Sequence, residues 1–124
     1  MKKTLFIIFT FFIFQIPTFS AHTHLEKEYQ TKWCNLNNGT LEHKLPDSTR
    51  IDCLTPNYAI EFDFAPKWAE SVGQSLFYAH STAKKPGIVL ILENPDKDIK
   101  YLNRLKSIAQ IYDIKIWTMT SEDI

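Results

Sequence analysis

Two acidic residues stand two positions apart in the apolar segment 59–64 (AIEFDF), and a third acid precedes them by nine residues. Side chains of a strand alternate between its two faces, so Glu61 and Asp63 point to the same side. A turn centred at Pro56 brings Asp52 opposite Glu61, and side chains directly opposite have Cβ atoms about 4.5–5.5 Å apart. Like charges that close repel each other unless a cation lies between them. The spacing therefore predicts a divalent-ion site of the magnesium type, with Asp52 and Glu61 as ligands.

A second interpretation of the same acids stays open. They are then solvated side chains on an exposed sheet face, or a one-residue slip in the turn breaks their alignment. On either interpretation the alternation predicts that Ile51 and Cys53 share one face of their strand and that Asp52 lies on the other.

The segment after the acidic strand is predicted to be a helix from Lys67 to about Thr82, opened by Pro66. At 100° per residue one stripe of this helix is polar and consists of Lys67, Ser71, Gln74 and Tyr78. A separate stripe is apolar and consists of Trp68, Val72, Leu76 and Ala79. Lys67 stands nearest the end of the acidic strand, where a lysine neutralises carboxylates, orients a water or stabilises charge on a phosphate. The alternative is that Lys67 is a surface lysine with no functional role. Gln74 and Tyr78 could in the same way be ordinary solvent-facing residues.

The rest of the chain supplies the elements that would hold these residues in place. Helical spacing predicts helices over 24–36 and 98–112, and apolar segments bounded by turn residues predict strands over 40–46, 50–55, 58–65, 86–92 and 114–120. The predicted order is α-β-β-β-α-β-α-β. Such an order indicates an α/β protein with a mixed sheet flanked by helices on both sides.

The sequence contains two cysteines, Cys34 and Cys53. In an exported chain they form one disulfide if the geometry permits, and such a bond contributes about 3 kcal/mol. Two buried free thiols are the alternative. A zinc site is disfavoured, since two thiols alone do not complete it.

Residues 1–20 resemble a secretory signal peptide. Two lysines are followed by an apolar run and then by small residues at Thr18 and Ser20, so cleavage is expected after Ser20. The alternative is an uncleaved anchor, although the run from Leu5 to Phe14 is shorter than the roughly 20 residues that span a bilayer. Cleavage leaves one domain over 21–124 in a secreted or periplasmic protein, with no stable membrane association.

The charge of the chain provides no general attraction for nucleic acid. The formal net charge is zero, and loss of Lys2 and Lys3 with the signal peptide makes it −2. Binding of nucleic acid would need a local patch, for which the densest cations are Lys84, Lys85, Lys97, Lys100, Arg104 and Lys106. A solvated face is the alternative interpretation of these residues.

With the elements in this order, the chain resembles the PD-(D/E)XK nuclease superfamily. The likeness runs from LEKEYQTKWC through RIDCLT, AIEFDFAPKW and ESVGQSLFYA to PGIVLIL. It implies a restriction-endonuclease-like αβββαβ core, with Asp52 and Glu61 as ligands of Mg²⁺ or Mn²⁺. Glu26 of the first helix matches the assisting acid, with Glu28 as the other choice.

The sequence departs from this family where its lysine should stand, because that place holds Asp63. Lys67 then resembles a lysine that has migrated to the next helix. The resemblance assigns catalytic roles to Lys67, Glu26, Gln74 and Asp63, and Tyr78 and Ser71 are the expected substrate contacts.

These features predict an exported, metal-dependent nuclease that hydrolyses phosphodiester bonds, with DNA favoured over RNA as the partner. Two alternatives stay open. One is a domain that keeps the nuclease fold without its activity, and the other is an exported interaction module held by a disulfide. The oligomeric state is not predicted.

The signal peptide leads to a direct test. N-terminal sequencing of the exported protein is expected to begin at Ala21, because Thr18 and Ser20 fit the small-residue requirement of signal peptidase. Recovery of the intact N-terminus in a membrane fraction would identify an anchor instead.

Overall fold

The structure is a computed structural model, and it describes residues 21–124. The predicted signal peptide lies outside the described residues. The helices are α1 (Glu26–Leu36), α2 (Trp68–Thr82) and α3 (Pro95–Tyr112), and the strands are β1 (Thr40–Lys44), β2 (Arg50–Leu54), β3 (Tyr58–Phe64), β4 (Lys85–Ile91) and β5 (Lys115–Met119). Short 3₁₀ turns cover Ala65–Lys67 and Ser121–Asp123. The predicted element order is confirmed.

The five strands form one sheet in the order β1-β2-β3-β4-β5. The first three strands are antiparallel neighbours, whereas β3, β4 and β5 are parallel. A parallel connection needs a crossover, and α2 and α3 provide the two that are required. The sheet is therefore mixed, and the α/β class with helices on both sides is the observed one.

Each face of the sheet has its own apolar core. On one face Tyr29 and Cys34 of α1 pack with Ile60 and Phe62 of β3. On the other face Ile88 of β4 lies in a core that also takes in α2 and α3. β3 and β4 thus lie between two helical layers and are buried on both sides, as the continuous apolar run of β4 predicts.

Three helix boundaries differ from those predicted. α1 begins at Glu26 instead of His24, and α3 begins at Pro95 instead of Asp98, because a proline at the first helical position has a φ angle that suits a helix. A 3₁₀ turn, Ala65–Lys67, precedes α2 and makes Lys67 its N-cap.

The prediction that Ile51 and Cys53 share a face is wrong. Cys53 packs in the core under α1, whereas Ile51 packs with Ala59 and with Tyr78 of α2. The regular alternation of the hairpin is interrupted here, and across from Asp52 on β1 the backbone of Glu42 has a left-handed φ of 52°. The pairs on either side of this point, Leu41↔Cys53 and His43↔Ile51, keep the register of the two strands.

The predicted disulfide between Cys34 and Cys53 is present, and it joins the end of α1 to β2. Gly39, in the connection from α1 to β1, lies directly against it. A Cβ atom at Gly39 would overlap both sulfur atoms. The disulfide therefore leaves room at this position for glycine alone.

Replacement of Gly39 by alanine is expected to lower the free energy of unfolding by about 1–3 kcal/mol, because the new methyl group displaces the disulfide. Urea denaturation measures the change. Gly73→Ala in α2 is the matched control, since no atom lies within 4 Å of a Cβ there, and it is expected to stabilise by up to about 1 kcal/mol.

The same substitution is then made in a Cys34→Ala/Cys53→Ala background. That background loses about 3 kcal/mol with the disulfide, but it removes the sulfur atoms that crowd Gly39. The cost of Gly39→Ala should shrink there. An equal cost in both backgrounds would show that the disulfide does not determine the requirement for glycine.

Candidate functional site

The hairpin of β2 and β3 places Asp52 beside Glu61. The strands pair at Leu54↔Ala59 and Cys53↔Ile60, and Asp52 and Glu61 are the next residue on each strand, where regular pairing ends. At this point a side chain replaces the strand backbone as hydrogen-bond acceptor. The backbone N–H of Phe62 donates to Oδ2 of Asp52 at 2.9 Å. A charge-assisted bond of this kind fixes the Asp52 carboxylate at the point where the two strands separate.

The acids of β3 are buried, which excludes the interpretation that they are solvated on an open sheet face. Glu61 is 3 % exposed and Asp63 is 6 % exposed. Their strand partners on β4 are Ile88 and Leu90, whose side chains belong to the core under α2 and α3. Two carboxyl groups therefore lie in an apolar layer, where an ionised group needs a partner.

Within the described residues, each of the two buried carboxyls has an oxygen without a hydrogen-bond partner. Oε1 of Glu61 and Oδ2 of Asp63 have no hydrogen bond. The buried hydroxyls on α2 are directed to their own helix, because Ser71 donates to the carbonyl of Trp68 at 2.7 Å and Ser75 to that of Val72 at 3.0 Å. The three ion pairs formed between residues 21 and 124 are His22–Glu93, His24–Glu28 and Lys27–Glu42.

Burial shifts the protonation of both β3 acids. Burial first, and then the charge of Asp52, raises the pKa of Glu61 to about 10. Burial, followed by the charges of Glu26 and Glu70, raises the pKa of Asp63 to about 7, although Lys67 acts to lower it. At neutral pH Glu61 accordingly holds a proton, and Asp63 is near the midpoint of its titration.

Asp52 differs from Glu61 in how its charge is stabilised. Burial raises the pKa of Asp52, but the hydrogen bond from Phe62 and proton sharing with Glu61 oppose that rise. Glu61 therefore serves as the proton donor of the pair and Asp52 as the acceptor.

Helix α1 brings a fourth acid to the cluster. Glu26, its first residue, is partly buried, and its pKa is raised by burial and then by the charge of Asp52, while Lys67 lowers it. Glu28 has a different role, because it caps the helix by accepting the N–H of Leu25 at 2.6 Å. Of the two acids proposed for the first helix, Glu26 is the one that lies with Asp52.

The residues predicted on α2 take different positions around the cluster. Lys67 is exposed at the start of the helix and acts on both Glu26 and Asp63 through its charge. Tyr78 is buried, and burial, followed by the charges of Glu61 and Asp52, raises its pKa. Ser71 is completely buried, and Gln74 is partly exposed. Tyr78 therefore lies near Glu61 and Asp52, whereas Ser71 directs its hydroxyl to the carbonyl of Trp68 in its own helix.

One residue of this site was missed in the sequence. Gln30 of α1 is 4 % exposed, and its Nε2 donates to Oε1 of Glu26 at 3.3 Å. It also lowers the pKa of Asp52 through a side-chain interaction. The sequence signal was the spacing of four between Glu26 and Gln30, which places both on one helix face.

The donor set suits a hard divalent cation. It offers carboxylate and amide oxygens, of which Glu61 Oε1, Asp63 Oδ2 and Gln30 Oε1 are buried without partners. Between residues 21 and 124 no three His, Cys, Asp or Glu side chains already form a metal-ligating group. Magnesium needs only one or two protein carboxylates, so Asp52 and Glu61 fit it once Glu61 gives up its proton.

Comparisons with protein-family models, with curated proteins and with solved structures gave no match to this chain.

No helix within 21–124 has the length and apolar character required to cross a membrane.

The raised pKa values predict how the stability of the metal-free protein depends on pH. Between about pH 4 and pH 7 the folded state holds a proton on Asp63 that the unfolded chain has lost, so stability falls as pH rises through this range. Glu61 continues the decline toward pH 10. Denaturation in the presence of a chelator at pH 5, 6, 7 and 8 measures this fall in the free energy of unfolding.

In Asp63→Asn the free energy of unfolding is expected to fall less steeply than in the wild-type protein as the pH rises toward 7. Exposed Asp96→Asn is the control and should keep the wild-type slope. Wild-type stability that is constant or rises from pH 5 to pH 8 would contradict the assigned protonation.

Proposed function

We propose that the protein hydrolyses phosphodiester bonds of nucleic acid with a divalent cation, Mg²⁺ or Mn²⁺. The observation that carries this proposal is the group of acids from α1, β2 and β3, two of them with unpartnered buried oxygens, beside the lysine that opens α2. Acids in this number and burial are costly for a domain that uses them only as structure. The resemblance to PD-(D/E)XK nucleases, with its restriction-endonuclease-like core, agrees with this reading.

Asp52 and Glu61 would hold the cation. When bound, such an ion polarises the scissile phosphate and lowers the pKa of a water. Asp52 is suited to hold it because the Phe62 N–H fixes its carboxylate. Glu61 must first release its proton, which makes binding of the cation favourable at higher pH.

Asp63 and Lys67 would handle protons and charge. A carboxyl with a pKa of about 7 is matched to general acid–base work at neutral pH, and Asp63 has that value. Lys67 stands at the exposed end of the same cluster, where its ammonium would stabilise the charge that develops on a phosphate. Glu26 and Gln74 would assist at the mouth of the site, and Tyr78 with Ser71 would shape its wall.

The disulfide supports the proposed destination of the protein. A bond between Cys34 and Cys53 persists in oxidising compartments, in agreement with a secreted or periplasmic protein. DNA as the preferred substrate follows the family resemblance.

A second candidate is a domain of this fold without catalytic activity. It is favoured by the absence of a preformed group of three ligands between residues 21 and 124. Such a domain would gain no thermal stability from Mg²⁺, since stabilisation by mass action requires binding to the native state. The disulfide-held interaction module shares that expectation, and it would instead lose stability strongly on reduction.

A nuclease assay on plasmid, linear DNA and RNA tests the proposal, with Mg²⁺ or Mn²⁺ against a chelator. Asp52→Asn and Glu61→Gln are each expected to abolish cleavage and the thermal shift that the cation produces, because each variant loses a ligand. Glu61→Gln should still fold, since the wild-type side chain is already neutral.

Lys67→Ala separates catalysis from cation binding. It should keep the thermal shift and lose activity by on the order of 10²- to 10³-fold, because the carboxylates remain while a transition-state charge partner is removed. Lys32→Ala, at an exposed lysine on α1, is the matched control and should keep full activity. A wild-type protein that neither cleaves nor shifts with any of these ions would refute the proposed function.

A further inference from the structure

Gln30 is the one strongly polar residue among those that α1 buries, because the other two are Tyr29 and Cys34. Burial of an amide costs free energy unless its hydrogen bonds are satisfied. A side chain of similar size without polar atoms would fit the apolar layer between α1 and the sheet at lower cost. A glutamine buried at this position therefore needs hydrogen-bond partners that an amide can satisfy and an apolar side chain cannot.

Those partners are two acids on different elements. The amide nitrogen of Gln30 donates to Glu26 on its own helix, and Gln30 lowers the pKa of Asp52 on β2. The opposite orientation of the amide would turn its carbonyl oxygen toward the Glu26 carboxylate, where two acceptors repel each other. The amide nitrogen thus lies at Glu26, and Gln30 also favours the charged form of Asp52, so one amide acts on two carboxylates that otherwise repel each other.

We propose that Gln30 is a positioning residue that holds Glu26 and Asp52 in one geometry for the cation. This inference rests on the proposed function where it concerns the cation, and on the hydrogen bond to Glu26 and the effect on Asp52 where it concerns the two acids. Some residues do not bind the metal but hydrogen-bond to its carboxylate ligands and orient them. Removal of such a residue typically weakens metal affinity by about 10- to 100-fold. The Oε1 atom of Gln30 has no partner among the described residues and can accept a hydrogen bond from a water or a substrate hydroxyl.

The first measurement is Mn²⁺ affinity by calorimetry. Gln30→Met keeps the length of the side chain and removes both donors, and it should weaken Mn²⁺ binding by about 10- to 100-fold without lowering the midpoint of urea unfolding. Lys32→Met, an exposed position on the same helix, is the control and should keep wild-type affinity. Unchanged affinity in Gln30→Met, when the wild-type protein binds Mn²⁺, would overturn the inference.

The second measurement needs no metal. The side-chain NH₂ resonances of Gln30 are identified by their loss in Gln30→Met and then followed in Glu26→Gln and Asp52→Asn. Both variants should shift these resonances and speed their exchange with water, whereas the distant Asp96→Asn should not.

NH₂ resonances that respond to neither acid would overturn the inference. Failure of the wild-type protein to bind Mn²⁺, together with the expected NH₂ response, would instead count against the proposed metal function alone. The role of Gln30 in holding the two acids would then stand.

Discussion

The hydrogen bond from the Phe62 N–H to the Asp52 carboxylate is the interaction on which the candidate site depends. At Cys53↔Ile60 the two strands still pair through their backbones, and beyond this pair the carboxylate takes the place of a backbone acceptor. A buried N–H without a partner would cost about 1–3 kcal/mol, so the side chain completes the sheet as well as the site. An aspartate at position 52 satisfies a structural requirement of β3 and becomes fixed next to Glu61 by the same bond.

The sheet makes the remaining features of the cluster possible. β3 lies between β2 and β4, and helices cover both faces of the sheet, so Glu61 and Asp63 are almost fully withdrawn from water. An ionised carboxyl in such a layer costs several kcal/mol, and protonation avoids that cost in the protein alone. The burial that raises the affinity of these carboxyls for a proton also favours the binding of a cation, because a proton and a cation neutralise the same oxygens.

Local patterns in the sequence predicted most of the fold. Periodicity and turn residues predicted every helix and strand in order, and the turn at Pro56 predicted that Asp52 lies close to Glu61, although regular strand pairing ends at Cys53↔Ile60. The orientation of Ile51 was not predicted because strict alternation fails in this hairpin, where Glu42 has a left-handed backbone although glutamate has no strong preference for that conformation. The role of Gln30 and the burial of Glu61 were not predicted, for another reason. Both depend on contacts between α1, β2 and α2, elements that the chain brings together only after folding.

The disulfide links the assembly of the candidate site to the oxidation state of the two cysteines. Cys53 follows Asp52 directly, and Cys34 lies one helical turn beyond Gln30, so the bond clamps the helix that carries Glu26 to the strand that carries Asp52. The spacing between these acids thereby becomes a function of thiol oxidation. If the cluster cleaves nucleic acid, a newly made chain in a reducing cytosol lacks the covalent clamp that holds the acids together. If the chain is also exported, oxidation outside the cytosol would act as a maturation step that keeps the activity away from the genome of the producing cell.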